Sequence, residues 1–136
     1  MKANGRLAVD TNAVIAYREG ITEVCNIMDS ADILFLPVIV LGELLYGAVN
    51  SVRSQENEQI INKFLDISTL VFIDKSIAVQ YSRVRLALKK IGHPIPENDL
   101  WIAATCLEHN LPLLSSDRHF DYVYGLKVIN WTKGDS

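Results

Sequence analysis

Residues 7–12 read Leu-Ala-Val-Asp-Thr-Asn, so that an apolar run gives way at once to polar residues. A short apolar run of this kind is typical of a buried β-strand, here with Asp10 at its carboxyl end. Residues 33–36, Ile-Leu-Phe-Leu, form a second such run, which stops at Pro37. We therefore expect residues 7–10 and 33–36 to be two buried strands.

Segments of helical length and periodicity follow these strands. Residues 38–49 are strongly apolar, with Glu43 in the middle, and are expected to form a helix that lies in the core. Residues 76–91 carry apolar side chains at intervals of four and three, with Ser76 as the predicted N-cap and Gly92 just past the C-terminus. Further helices are predicted at residues 12–18, 22–30, 56–66 and 97–109, and further strands at residues 70–73, 112–115 and 128–131.

The alternation of strands and helices predicts the fold class. Strands separated by helices are typical of an α/β fold, here a three-layer sandwich with a mainly parallel central sheet. The chain has 136 residues, which suits a single domain spanning residues 1–136. Hydrophobic residues make up 49% of the chain, which is enough to build its core.

Composition and charge limit the classes of function. The net charge of −3 argues against a general electrostatic nucleic-acid binder, unless clustered acids are neutralised by a divalent cation. Cys25 and Cys106 lie inside predicted helices and are expected to be free thiols. The polar N-terminus resembles no secretory signal, and the longest apolar stretch, residues 33–49, is interrupted by proline, glycine and glutamate. We expect a soluble, cytoplasmic protein that does not bind a membrane.

Four acidic residues stand out by their position in the predicted elements. Asp10 and Asp117 each follow an apolar strand, and ligand sites of parallel sheets lie beyond the carboxyl ends of the strands. Glu43 has apolar neighbours, among which an ionised carboxylate needs water, a cationic partner or a metal. Asp99 is in the first turn of a predicted helix, where the helix dipole stabilises a negative charge. Each acid alone also has an ordinary explanation, as a turn or cap residue, a solvent-facing helix position, a partner of arginine or a helix-start residue.

Together, the four acids point to a metal site. Carboxylates gathered in one crevice repel each other and raise each other's pKa values, and a hard cation relieves that repulsion. Mg²⁺ or Mn²⁺ would prefer these oxygen ligands. Because the predicted site has no histidine or cysteine ligands, it favours phosphodiester chemistry over zinc peptidase chemistry. The predicted catalytic and metal-binding residues are Asp10, Glu43, Asp99 and Asp117, and the predicted supporting residues are Thr11, Asn12, Asn98 and Ser115, each of which would serve equally well as a turn or cap residue.

At these residues the sequence resembles the PIN-domain nucleases, and within them the VapC-type toxins. The matching pieces are residues 9–12 (Val-Asp-Thr-Asn), 42–47 (Gly-Glu-Leu-Leu-Tyr-Gly), 98–104 (Asn-Asp-Leu-Trp-Ile-Ala-Ala) and 115–120 (Ser-Ser-Asp-Arg-His-Phe). They stand in the family's order and cover nearly the whole chain. Each piece alone is weak, but the combination is specific.

The resemblance implies a parallel sheet flanked by helices and an acidic cluster that binds Mg²⁺ or Mn²⁺ and cleaves RNA. It implies that Asp10 and Asp99 are the main metal ligands, whereas Glu43 and Asp117 complete the site or orient water. Ser115 matches a position at which the family has a hydroxyl. The resemblance further implies a homodimer that acts as the toxin of a type II toxin–antitoxin system. A cognate antitoxin would hold the toxin inactive by placing its C-terminal segment in the active-site groove.

Other functions remain as alternatives. A non-catalytic PIN-like scaffold that binds RNA or protein is disfavoured by the intact acids, and a DNA-directed nuclease normally takes a longer chain. A phosphatase with an aspartyl nucleophile normally has a second aspartate where this sequence has Asn12. A P-loop enzyme is excluded because the sequence lacks a glycine-rich loop ending in Gly-Lys.

Overall fold

A five-stranded sheet forms the centre of the protein in a computed structural model, which describes residues 5–132. Its strands are β1 (Arg6–Val9), β2 (Ile33–Pro37), β3 (Ser68–Val71), β4 (Leu113–Leu114) and β5 (Val128–Ile129). They lie in the order β3-β2-β1-β4-β5, and all four pairings are parallel. The predicted parallel sheet is therefore confirmed. The predicted domain of residues 1–136 extends past the described residues at both ends.

Helices connect the first four strands and flank the sheet. They are α1 (Thr11–Arg18), α2 (Thr22–Ser30), α3 (Val38–Val49), α4 (Ser54–Asp66), α5 (Lys75–Lys90) and α6 (Glu97–Glu108), and a 3₁₀ helix at Arg118–Tyr122 lies between β4 and β5. This arrangement confirms the α/β fold class. The 3₁₀ helix was not predicted. Within residues 5–132, no helix combines the length and the apolar character needed to span a bilayer.

The strand order creates a crevice at the carboxyl ends of β1 and β4. From β1 the chain builds outward through β2 and β3, and then returns to add β4 and β5 on the other side. The chain segments that follow β1 and β4 therefore run in opposite directions and leave a gap between them. In open parallel sheets, ligands bind in such a gap, beyond the carboxyl ends of the strands. Val9 pairs with Leu114, and the Asp10 amide donates a hydrogen bond of 3.1 Å to the Leu114 carbonyl. Residues that follow β1 and β4 therefore lie side by side at this crevice.

Helix α3 lies in the core along one face only. Its buried residues are Val40, Leu44 and Ala48, which recur at intervals of four as expected for a single helical stripe. Tyr46 and Val49 are 70% and 58% exposed. The prediction that this apolar helix lies in the core is thus correct for one face and wrong for the other.

Helix α5 begins one residue earlier than predicted, with a different N-cap. The Asp74 side chain accepts a hydrogen bond of 3.0 Å from the Ile77 amide, which makes Asp74 the N-cap and places Ser76 inside the first turn. Gly92 has a φ of +73°, so the predicted glycine at the C-terminal end is confirmed. Ile91, predicted to lie on the apolar face, is exposed.

The cysteines are free thiols, as predicted. Cys25 is half-buried in α2, and Cys106 is buried in α6. Burial raises the pKa of the Cys106 thiol above its ordinary value, with a smaller contribution from the charge of Asp10. A buried thiol of this kind is unreactive.

Candidate active site

Asp10 is the most buried of the four predicted acids. It follows β1 directly, caps the N-terminus of α1 and is 5% exposed. Its carboxylate accepts hydrogen bonds from the Ser115 hydroxyl at 2.7 Å and from the Thr11 amide at 2.8 Å. The pKa of Asp10 is raised to about 6, mainly by burial and less by the charges of Asp99 and Glu43, against the effect of these two hydrogen bonds.

Glu43 approaches the same crevice from the middle of α3. The Thr11 hydroxyl donates a hydrogen bond of 3.1 Å to its carboxylate, and an Asn98 side-chain hydrogen bond also stabilises the ionised form. Its pKa is nevertheless raised, mainly by burial and then by the negative charge of Asp99. These contacts turn Glu43 toward the other acids, so the alternative of a solvent-facing stripe does not hold.

Asp99 and Asp117 meet at a histidine. Nδ1 of His119 lies 3.0 Å from Asp99 Oδ2 and 3.0 Å from Asp117 Oδ1. One ligand atom from each of the three side chains lies within 4.8 Å of the other two. Burial raises the pKa of Asp99, His119 opposes this effect, and the charge of Asp117 adds to it. The same contact with Asp99 is the main cause that raises the pKa of His119.

His119 is a residue of this crevice that was not predicted from the sequence, and the prediction of a metal site without histidine ligands stays a prediction. The sequence stretch at residues 115–120 contains this residue, but no helix was predicted there. The 3₁₀ helix turns His119 back toward the crevice, and Asp117 caps that helix by accepting a hydrogen bond of 2.9 Å from the His119 amide. A histidine two residues after a capping aspartate was the available signal.

Ser115 and Asn12 link the residues that follow β1 and β4. The Ser115 hydroxyl donates to Asp10 and accepts a hydrogen bond of 3.0 Å from the Asp117 amide. The Asn12 side chain donates to Asp10 Oδ2 at 3.3 Å and accepts from the Ser116 amide at 3.2 Å. These contacts fix the Asp10 carboxylate relative to the backbone of the residues that follow β4.

The structure therefore brings the predicted residues together. Asp10 interacts electrostatically with Glu43 and Asp99, and Asp99 interacts with Asp117. The predicted supporting residues Thr11, Asn12, Asn98 and Ser115 all contact at least one of these acids.

The donor set fits a hard divalent cation. Asp10, Glu43 and Asp99 have raised pKa values, mainly because of burial, and the negative charges of neighbouring acids contribute to each shift. Carboxylate oxygens of this kind suit Mg²⁺ or Mn²⁺. A cation at this position would be able to bind phosphate oxygens and water.

A second open crevice, of about 630 Å³, lies along α3 and is called the α3 crevice below. Glu43 is the one of the four acids that lines it, and the other lining residues are Thr11, Val38, Ile39, Gly42, Tyr46 and Asn98. The crevice thus joins a carboxylate to an apolar helix face.

Comparison with known proteins identifies relatives along nearly the whole chain. The family model described as "PIN domain" matches residues 7–126. Ribonuclease VapC2 of Haemophilus influenzae is 31% identical over 126 residues, which cover 90% of this chain and 96% of the relative. Ribonuclease VapC1 of Methanocaldococcus jannaschii is 28% identical over 130 residues, which cover 93% of this chain and 89% of the relative.

Solved structures share the same fold. The structure of VapBC-1 from nontypeable Haemophilus influenzae contains a chain with a TM-score of 0.82 and 26% identity, covering 94% of this chain and 99% of its own length. A chain of VapBC2 from Rickettsia felis, bound to a DNA fragment from its promoter, has a TM-score of 0.84 at 23% identity, covering 93% of this chain and 98% of its own length. The latter similarity concerns the fold alone.

Proposed function

This chain belongs to the PIN domain family, and from that membership and its acidic crevice we infer that it is an endoribonuclease, the toxin component of a type II toxin–antitoxin system. The ribonuclease activity is supported by the curated relatives named Ribonuclease VapC, one of them 31% identical over 90% of this chain. The observation that carries the proposal is the convergence of Asp10, Glu43 and Asp99 from β1, α3 and α6 on one crevice.

We propose that Asp10, Glu43, Asp99 and Asp117 hold Mg²⁺ or Mn²⁺, with Asp10 and Asp99 as the main ligands. When bound, the cation would supply positive charge for the scissile phosphate and lower the pKa of a coordinated water. A cation would favour the ionised forms of these acids, because burial and the charges of the neighbouring acids raise their pKa values.

The hydrogen-bonding residues are proposed to orient the acids. Ser115 and the Thr11 amide fix both oxygens of Asp10, since Ser115 contacts Oδ2 and Thr11 contacts Oδ1. The Thr11 hydroxyl holds Glu43, which together with Asp117 would orient the attacking water. Prior orientation lowers the reorganisation needed when charge develops on the phosphate.

A cognate antitoxin is the proposed protein partner. The related structure of VapBC-5 from Mycobacterium tuberculosis is described as a member of the VapBC family of toxin–antitoxin systems. An apolar groove of about 460 Å³ between α1 and α4 would accept an apolar segment of such a partner, and its lining includes Ile15, Ile60 and Ile67. RNA and antitoxin are cytoplasmic molecules, so the proposed activity is cytoplasmic. Homodimer formation stays a prediction.

A cleavage assay tests the proposed function. The purified chain, incubated with a mixed RNA pool and Mn²⁺, is expected to cut RNA, and EDTA or the Asp10→Asn substitution is expected to stop the cleavage. Asp32→Asn is the matched control, because it makes the same chemical change at an exposed aspartate away from the crevice. Activity that survives EDTA and Asp10→Asn would refute the metal mechanism.

The same assay separates the alternatives. RNA binding without any cleavage would favour the non-catalytic scaffold, and faster cleavage of single-stranded DNA than of RNA would favour the DNA-directed nuclease. The proposal expects RNA to be the better substrate.

A further inference from the structure

Two features of α3 beside Glu43 have no explanation within the described part of the chain. Tyr46, one turn after Glu43, lines the α3 crevice, and its side chain is 70% exposed. Gly42 also lines the crevice, and a Cβ atom built there meets nothing within 4 Å. Glycine weakens the interior of a helix relative to alanine, and packing inside the described chain does not require it at this position.

An external group that approaches the helix backbone would explain both features. A position without a side chain allows close contact with α3, and an exposed ring one turn further on offers a flat apolar surface. Exposure of one tyrosine alone would mean little, since single exposed apolar residues are common. Here the ring, the glycine and a half-buried carboxylate share one crevice.

We propose that this crevice is a base-binding subsite, in which a base of the RNA strand stacks on Tyr46 while its sugar passes over Gly42. The inference rests on the proposed ribonuclease function and adds the position of a nucleotide beside the scissile phosphate. Apart from Glu43, the residues that line the α3 crevice are uncharged. An uncharged, partly apolar surface suits a base, because a phosphate would need cationic partners.

The dimensions and polarity of the crevice agree with this occupant. Its volume of about 630 Å³ is within the range of about 300–1,000 Å³ typical of small-ligand sites. The side chains of Asn98 and Thr11 supply hydrogen-bonding groups, whereas Ile39 and Tyr46 supply apolar contact. Stacking on an aromatic ring accepts any base, so the subsite contributes affinity more than sequence specificity.

Substitutions of Tyr46 test the stacking contact. The substrate is an RNA oligonucleotide that the unaltered protein cleaves. Tyr46→Ala is expected to lower kcat/KM about 5- to 100-fold, mainly through KM, because stacking on one base contributes that much affinity. Tyr46→Trp, which keeps a flat ring, is expected to retain activity. Tyr124→Ala is the control, since Tyr124 is 96% exposed and lies beside Leu107 at the other end of α6.

Substitutions of two glycines test the close approach. Gly42→Ala and Gly47→Ala each add a methyl group to α3 in open space, so both are expected to raise Tm by about 2–5 °C. Only Gly42 lines the crevice. Gly42→Ala is therefore expected to raise KM at least about 5-fold in spite of its greater stability, whereas Gly47→Ala should leave KM unchanged.

The outcomes distinguish this subsite from the activity it depends on. Unchanged KM in both Tyr46→Ala and Gly42→Ala, with normal cleavage by the unaltered protein, would overturn the subsite and leave the ribonuclease proposal intact. Weaker self-association or antitoxin binding with normal cleavage would identify the surface as a protein interface instead. Failure of the unaltered protein to cleave or bind any RNA would overturn the proposed function and the subsite with it.

Discussion

The Ser115 hydroxyl donates a hydrogen bond of 2.7 Å to Asp10 Oδ2, although the two residues are 105 positions apart in the sequence. The bond joins the residue after β1 to the residue after β4. Both side chains are buried, and the hydroxyl also accepts from the Asp117 amide at 3.0 Å. Ser115 thereby couples two of the four acids across the crevice.

Loss of this hydroxyl should weaken both the fold and the site. Ser115→Ala leaves the buried Asp10 carboxylate and the Asp117 amide without a shared partner, which is expected to cost about 1–3 kcal/mol of unfolding free energy. Because the Ser115 hydrogen bond lowers the pKa of Asp10, the substitution should also raise that pKa further. Urea unfolding measures the first effect.

Ser116→Ala is the control for Ser115→Ala. Ser116 contacts Asn12 and Asn130 through its backbone, so removal of its hydroxyl should change stability by less than about 0.5 kcal/mol. Equal losses in the two variants would contradict the assigned role of Ser115.

Asp10 should make the metal-free protein less stable as the pH rises. Burial raises its pKa from 3.8 to about 6, so between these values the folded state binds more protons than the unfolded state. The contribution of Asp10 to stability is therefore fully present below pH 3.8 and is lost as the pH rises through 6, a change of about 3 kcal/mol. The raised pKa values of Glu43, Asp99 and His119 act in the same direction.

Thermal unfolding in EDTA checks this pH dependence. Asp10→Asn is expected to raise Tm at pH 7.5 and to flatten the decline between pH 5 and pH 7.5, while it abolishes RNA cleavage. Asp32→Asn, at an exposed site, should leave both the decline and the cleavage unchanged. Equal declines in the wild type and in Asp10→Asn would show that Asp10 is not desolvated as described.

His119 should make metal binding depend on pH. Its Nδ1 lies 3.0 Å from both the Asp99 and the Asp117 carboxylate, and its pKa is raised mainly by Asp99. The protonated ring therefore supplies the positive charge that a cation would otherwise provide, and proton and metal compete. Calorimetric titration with Mn²⁺ should show affinity that rises more steeply from pH 6 to pH 8 in the wild type than in His119→Ala. Parallel profiles for the two proteins would argue against this competition.

The N-cap of α5 provides a test that is independent of the active site. The Asp74 side chain accepts from the Ile77 amide, and its removal in Asp74→Ala should cost about 1 kcal/mol of unfolding free energy. Ser76→Ala should have little effect, because Ser76 lies within the helix rather than at its cap. Chemical denaturation measures the unfolding free energy of both variants. A larger loss of unfolding free energy in Ser76→Ala than in Asp74→Ala would support Ser76 as the N-cap, as predicted from the sequence.

The order of strands and helices was predictable from apolar runs and from segments of helical length. Helices α2 and α3 have the predicted bounds, although neither begins with a side-chain cap hydrogen bond. Strand β3 lies at Ser68–Val71, two residues before the predicted run at residues 70–73. The register of β3 is set by its pairing with β2, and the apolar pattern of the sequence alone does not predict that register.

The four acids were identifiable from their positions together: two follow predicted strands, one has apolar neighbours, and one is in the first turn of a predicted helix. The role of His119 was not, since it depends on a 3₁₀ turn that has no apolar periodicity. The exposed face of α3 was also missed. Residues 38–49 are apolar on nearly every side, so the sequence does not show that Tyr46 faces the α3 crevice while Leu44 faces the core.

The proposed mechanism depends on four carboxylates from separate elements that together bind a divalent cation. Equilibrium titration with Mn²⁺, followed by electron paramagnetic resonance, tests it in the wild type and in Asp10→Asn, Glu43→Gln, Asp99→Asn, Asp117→Asn and the control Asp32→Asn. The four crevice variants are expected to bind Mn²⁺ at least about 10-fold more weakly than the wild type, because each loses a ligand or an orienting partner, and the control is expected to match the wild type. Unchanged Mn²⁺ affinity in Asp10→Asn and Asp99→Asn would contradict the account.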